Sequence, residues 1–318
     1  MQNFEKVDNI RKNISSVIVG KDEVIKLILT SVLAGGHILL EDVPGTGKTV
    51  IAKSLAGSIS GEFSRVQFTP DLLPSDVTGI NFYNQKAGEF TLRKGPVFGN
   101  IVLADEINRA TPRTQSSLLE CMEEHQVTID GVTYRLDEPF VVIATQNPIE
   151  TAGTFPLPEA QLDRFLMKLS MGLPDKDEEV KIMERFMGEV PGAGSAKRVA
   201  AVCSAKDIVD MQQEAAMVYV HKAILEYIAS IVQATRKNPE IKMGISPRGT
   251  LALLRAVKAF AYIAGREYVV PEDVKAVAVS VLAHRIVLMS SFSGDEGKKK
   301  LINDIVASTE ILTEDWRR

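Results

Sequence analysis

Apolar residues recur with two different periods along this chain. Val7, Ile10, Ile14, Val17 and Ile18 keep the helical period until Gly20 interrupts it. A second amphipathic stretch over 21–34 ends at Gly35-Gly36. Short apolar runs then predict strands over 37–40, 63–68, 100–104, 140–145 and 166–169. Helical stretches separate most of them, the alternation of a parallel sheet with helices on its faces. Past Pro174 the strand signal vanishes, and helical stretches begin at Asp175, Ala205, His221, Pro247 and Pro271, with a break at Pro191-Gly192-Ala193-Gly194-Ser195. The pattern predicts an α/β domain over 1–172 and an all-helical domain over 173–318. Two hairpins are expected besides. One alternates over 126–135 around Asp130-Gly131, a strong hairpin signal, and a weaker one runs over 80–92 around Lys86-Ala87-Gly88.

Composition narrows the class. With 318 residues, 45% apolar and 25% charged, the chain can bury a core without staples. Its net charge of −4 argues against a protein that grips nucleic acid through phosphates. Cys121 and Cys203 stand alone, and His37, His125, His221 and His284 complete no zinc spacing, so a reducing cytoplasm is the expected setting. No apolar run approaches a membrane span, and the N-terminus does not read as a signal peptide. Lys298-Lys299-Lys300 reads as a solvated face.

The candidate chemistry begins at Pro44-Gly45-Thr46-Gly47-Lys48-Thr49, between the first strand and a helical stretch opening at Val50. The full phosphate-loop pattern asks for glycine where this chain has Asp42. Gly-Lys-Ser/Thr alone arises by chance in roughly one chain in six of this length, and requiring Gly45 lowers that to about one in a hundred. Such glycines turn successive N–H groups toward phosphate oxygens at a helix N-terminus; Lys48 would reach the terminal phosphates and the Thr49 hydroxyl a Mg²⁺ ion. An apolar strand then ends in Asp105-Glu106, fitting a carboxylate for the Mg²⁺ shell and one that polarises the attacking water. Alone, that pair would read as helix N-terminal charge.

Asn147 closes the strand over 140–145 and is placed to orient a water or touch the γ-phosphate; an Asn-Pro turn is the plainer alternative. Arg164 precedes the last strand. Arg248 follows Ser246 as N-cap and Pro247 as first helical residue, a position where a cation opposes the helix dipole. It is a candidate phosphate contact or a surface arginine paired with a nearby glutamate.

Together these residues resemble the MoxR family of AAA+ ATPases. The closest match lies in 38–49 (ILLEDVPGTGKT), 95–131, 144–165 (ATQNPIETAGTFPLPEAQLDRF) and the SPRG segment 246–249. The resemblance implies an AAA+ core with a helical lid. It implies nucleotide binding by Val19, Gly20, Pro44, Gly45, Thr46, Gly47, Lys48, Thr49 and Val50, with Thr49 and Asp105 holding Mg²⁺ and ATP or ADP as the nucleotide. Glu106 would be catalytic, Asn147 sensor 1 and Arg248 sensor 2, reaching the nucleotide from the lid. Arg164 resembles the arginine finger that completes a neighbour's site, with Arg109 and Arg113 as alternatives. The hairpins resemble pore-lining insertions. The family further implies a homo-oligomeric, hexameric ring, acting as a chaperone-like motor on a protein client, in particular one with a von Willebrand factor A domain whose metal or cofactor it helps insert. The same motifs would serve a magnesium-chelatase-type motor subunit or a slow nucleotide-gated switch.

Overall fold

The computed structural model describes residues 3–43, 45–86, 88–148, 153–187, 199–290 and 294–310. The break expected at 191–195 lies outside them. Helices α1 (Phe4–Ser15) and α2 (Asp22–Leu33) precede strand β1 (His37–Glu41), and the loop after it opens α3 (Lys48–Ser58). Then come β2 (Ile59–Ser60), β3 (Phe63–Gln67), α4 (Pro74–Thr78) and a hairpin of β4 (Gly79–Asn84) with β5 (Glu89–Lys94). Strand β6 (Ile101–Asp105) leads to α5 (Pro112–Glu124) and a second hairpin, β7 (Gln126–Ile129) with β8 (Val132–Arg135). Strand β9 (Val141–Gln146), α6 (Glu159–Leu162) and β10 (Phe165–Leu169) close the sheet.

All five strands expected from the sequence are present, and they form one parallel sheet in the order β10-β1-β9-β6-β3. Alternation sorts the side chains by face. Ile38, Leu40, Leu103, Ile143 and Met167 enter one core with α1 to α3, while Leu39, Val102, Ala104, Val142 and Ala144 enter a second with α5.

Beyond β10 the chain is helical: α7 (Lys176–Phe186), α8 (Ala205–Ala216), α9 (Lys222–Lys237), α10 (Pro247–Ile263), α11 (Pro271–Leu282) and α12 (Gly294–Ser308). Three short strands join them. β11 (Cys203–Ser204) pairs with β2, and β12 (Ile241–Met243) pairs with β13 (Val287–Leu288). Runs of two or three residues carry no readable period, so these strands leave no mark on the sequence pattern. The helices share the first core with α1 and α2, with α10 lying on α2 and α8. Polar ties fix them to the sheet. Lys168 on β10 bridges Glu41 of β1 and Asp295 of α12 at 2.7 Å each. Arg285, after α11, donates to the carbonyls of Asp163 and Phe165 and to the Asp163 carboxylate at 2.7 Å.

Both thiols are buried, and burial pushes the Cys121 pKa up to about 12 and that of Cys203 to about 11, which leaves them protonated and unreactive at neutral pH. His37 is also enclosed. Its Nδ1 accepts the Val142 N–H at 3.0 Å, and Nε2 lies 2.9 Å from the Met122 carbonyl. Burial lowers its pKa to about 4, with His125 and Arg255 adding to the effect. An unfolded histidine titrates near ~6.5, so protons favour the unfolded chain below that pH. Stability is expected to fall as pH drops from about 6.5 toward 4, by up to roughly 1.4 kcal/mol per pH unit from this group. Thermal melting against pH checks it, and His37→Gln should flatten the acid limb.

Candidate active site

The loop after β1 turns at Gly45 and Gly47, whose φ angles of +87° and +89° lie in the left-handed region. Gly47 immediately precedes α3, whose first-turn N–H groups receive no side-chain cap. A Cβ built on Gly45 would meet no protein atom within 4 Å, so the loop faces open space at the N-terminus of α3, as phosphate binding requires. Lys48 stands in the first turn of α3 and donates to the Asp42 carbonyl at 2.6 Å. Burial pushes its pKa down, and the charges of Asp42, Asp105, Glu106 and Glu41 push it back up. Thr46 is half-buried and donates to the Val43 carbonyl, Thr49 is half-buried beside Lys48, and Val50 is exposed. Pro44 lies outside the described residues.

Asp42 explains why the strict phosphate-loop pattern fails in this chain. Its carboxylate accepts the Met171 N–H at 2.6 Å, the Ser170 hydroxyl at 2.7 Å and the Gly172 N–H at 3.2 Å. The aspartate thereby pins the start of the loop to the end of β10. Asp42→Ala would leave two backbone donors unpaired, each costing about 1–3 kcal/mol. We expect a lower melting temperature together with weaker nucleotide binding, read by thermal melting and ATP titration.

Asp105 and Glu106 end β6 on the same carboxyl edge. Arg65 donates to Asp105 Oδ2 at 2.7 Å, and the buried Thr145 hydroxyl donates to Oδ1 at 2.6 Å. The Glu106 N–H donates to that same Thr145 oxygen at 2.8 Å. Glu106 itself has φ +56°, a left-handed geometry uncommon for a non-glycine residue and typical of functional sites. Its Oε2 accepts Gln67 Nε2 at 2.8 Å and Arg109 Nε at 3.0 Å. Asn147 is buried just past β9, the strand between β1 and β6, and so lies between the phosphate loop and the acid pair. Arg65, Gln67 and Thr145 are site residues that sequence reasoning misses. Their only signal is polar residues alternating on β3 and one hydroxyl near the end of the mostly apolar β9.

Val19 and Gly20 join α1 to α2 on the same side. Gly20 has φ +71°, which favours glycine, and a Cβ there would also displace the Glu178 side chain, whose Oε1 would lie 1.8 Å away. Lys21 donates to Glu178 at 3.0 Å, and Arg185 donates to the Ser16 and Val17 carbonyls, which holds α7 over this segment. Ile18 and Met171 carbons approach the Gly47 position within 3.9 Å and give the loop an apolar flank.

Arg164 and Arg248 are not part of this edge. In the parallel register Phe165 pairs with His37, at the start of β1, whereas the phosphate loop follows its end. Five residues of strand span roughly 13 Å between Cα ends. Arg248 sits at this amino edge, its Nη1 3.0 Å from Glu123 Oε1, and Arg164 Nη1 contacts Glu123 Oε2. Arg248, expected to reach a nucleotide from the lid, thus lies at the amino edge of its own sheet, where the lid docks through Arg285 and His284, which bond the Phe165 and Leu166 carbonyls of β10. Arg109 lies against Glu106, and Arg113 is exposed on the first turn of α5.

Residues 37–167 match the family model for the ATPase family associated with various cellular activities (AAA), and 233–305 match the AAA lid domain. Chaperone MoxR1 of Mycobacterium tuberculosis is 42% identical, over 94% of this chain and 80% of the relative. Protein MoxR of Paracoccus denitrificans is 32% identical, over 88% of each. The chain belongs to the MoxR family of AAA+ ATPases. Another relative, YeaC of Bacillus subtilis, is 47% identical over 94% of this chain and 93% of its own length. The fold extends over the whole molecule: a crystal structure of a Cytophaga hutchinsonii protein superposes with a TM-score of 0.88 at 41% identity, covering 98% of this chain and 96% of that one.

The donor set of this MoxR protein fits Mg-ATP. Thr49 and Asp105 are hard oxygen donors, the kind that hold Mg²⁺ together with substrate phosphates. No helix among the described residues is long and apolar enough to cross a membrane.

Proposed function

We propose that this MoxR protein hydrolyses Mg-ATP at a site completed by a second copy of the chain, and that the cycle drives remodelling of a protein client. The observation that carries the reading is the separation of parts. The phosphate loop, Asp105, Glu106 and Asn147 line one edge, while Arg164 and Arg248 are presented at the other. In a closed ring, built from one repeated head-to-tail contact, one subunit's amino edge would face the next subunit's phosphate loop.

Each residue then has a role. The loop from Pro44 to Thr49, with Val50 behind it and Val19 and Gly20 beside the base, binds the nucleotide. Lys48 pairs with the terminal phosphates once it leaves the Asp42 carbonyl. Thr49 and Asp105 would hold Mg²⁺, which supplies charge neutralisation on the phosphate oxygens. Glu106, oriented by Gln67 and Arg109, takes a proton from the attacking water, and Asn147 positions that water. Arg164 and Arg248 meet the charge that develops on the neighbour's phosphate.

We take 1–172 as the nucleotide-binding core and 173–318 as the lid. A hexamer in the cytoplasm, with a client carrying a von Willebrand factor A domain, fits the family relationship, and the name of the mycobacterial relative supports the chaperone role. Turnover per subunit, measured across a wide range of protein concentration, tests the assembly. A rate that climbs and saturates supports it. A flat rate at full ATP occupancy would contradict a site shared between copies.

A further inference from the structure

One carboxylate holds both Arg164 and Arg248 at the amino edge. Glu123, in the last turn of α5, gives Oε2 to Arg164 and Oε1 to Arg248 at 3.0 Å. Three separately folded parts of the chain therefore converge on a single side chain: α5, the segment before β10 and the first turn of α10. Asp163 holds Arg248 less closely. Its Oδ1 is committed to the buried Arg285 at 2.7 Å, and its Oδ2 lies 3.9 Å from Arg248 Nε. Arg164 is further steadied by the Leu119 carbonyl at 3.2 Å, whereas Glu123 is the one ion-pair partner of Arg248 within 3.5 Å among the described residues. Without the carboxylate, two adjacent guanidinium groups would repel each other and splay. The cluster is open to solvent, with 34% of the Glu123 side chain and 47% of the Arg248 side chain exposed, so a facing subunit can reach it.

We propose that Glu123 is a positioning residue, which clasps Arg164 and Arg248 as a preset pair for the phosphates of the neighbouring subunit. The clasp rests on the reading that the ATP site is shared between copies. Exposed ion pairs add little to stability, so the clasp acts on geometry rather than on folding. A misplacement of about 1 Å at such a site costs on the order of 10²-fold in rate.

The test uses full-length protein with Glu123→Gln, whose amide has one acceptor oxygen for two guanidinium groups. Turnover at saturating ATP and protein should fall about 10- to 100-fold. ATP affinity should stay within about twofold, and melting should shift by about 2 °C or less. Glu123→Asp, which keeps the charge with a shorter reach, should recover part of the rate; it also serves as the working variant should the glutamine form fail to fold. The deciding readout is mixing. Lys48→Ala subunits carry intact arginines and an intact clasp but lack the phosphate-binding lysine. Added to Glu123→Gln subunits, they should restore turnover to the level they restore in Arg164→Ala subunits. Unchanged turnover in Glu123→Gln overturns the proposal. So does a loss that Lys48→Ala subunits fail to repair while they repair Arg164→Ala. If they repair neither, the shared-site reading falls and the clasp falls with it.

Discussion

Arg164→Ala is expected to lower ATP turnover by about 10³- to 10⁵-fold, the range for an arginine supplied to a phosphoryl-transfer site, while ATP binding persists. The two halves of that expectation have separate structural reasons. Arg164 belongs to the amino edge, bound to Glu123 and the Leu119 carbonyl, and touches none of the described residues of its own phosphate loop. Deleting its guanidinium therefore leaves Gly45, Gly47, Lys48 and Asp42 as they are. The phosphate that loses its partner belongs to the next subunit, and the loss is felt where charge builds up during transfer rather than in ground-state binding. Steady-state turnover and titration with a fluorescent ATP analogue separate the two. Loss of binding in this variant would mean that Arg164 supports its own chain's loop and does not serve a neighbour's phosphate.

Glu106→Gln is expected to lower turnover by about 10²- to 10⁴-fold, the usual worth of a positioned general base, again with binding retained. The left-handed backbone of Glu106 is imposed by its surroundings. Its N–H is fixed on Thr145, and its carboxylate sits between Gln67 and Arg109. Glutamine has the same shape and can still accept from both partners, so the strained geometry survives while the proton acceptor is lost. ATP should then remain bound and unhydrolysed, visible as trapped nucleotide after gel filtration. A variant that turns over at near the parent rate would assign the base to another residue.

Much of this is legible in the chain itself, because the relevant signals are local. Buried strands such as β6 open as continuous apolar runs, here Ile101 to Ala104, and a glycine-rich turn between strand and helix places Lys48 without any knowledge of tertiary structure. The acid pair follows directly from ending a parallel strand at the carboxyl edge. What stays hidden is pairing between residues remote in sequence. Asp42 looks like a departure from a motif until Ser170, Met171 and Gly172 are seen to donate to it. Arg65 and Gln67 read as the polar face of a half-exposed strand, yet they hold Asp105 and Glu106 from forty and thirty-nine residues away. The edge at which Arg248 lies is hidden for a related reason. Periodicity marks α10 as an amphipathic helix capped by Ser246, but it carries no information on which end of the sheet the lid meets. That choice is made by Arg285 and His284 bonding to the first carbonyls of β10.

If each ATP site is built from two copies of the chain, two inactive variants should repair each other when mixed. Lys48→Ala lacks the phosphate-binding lysine but keeps its arginines; Arg164→Ala keeps its phosphate loop but lacks an arginine. Turnover measured on the mixture across a range of ratios should rise well above that of either variant alone, with a maximum at intermediate ratios where loop and arginine meet across the most interfaces. Activity no greater than the sum of the two separate proteins, under conditions where they assemble together, would contradict a site completed between subunits.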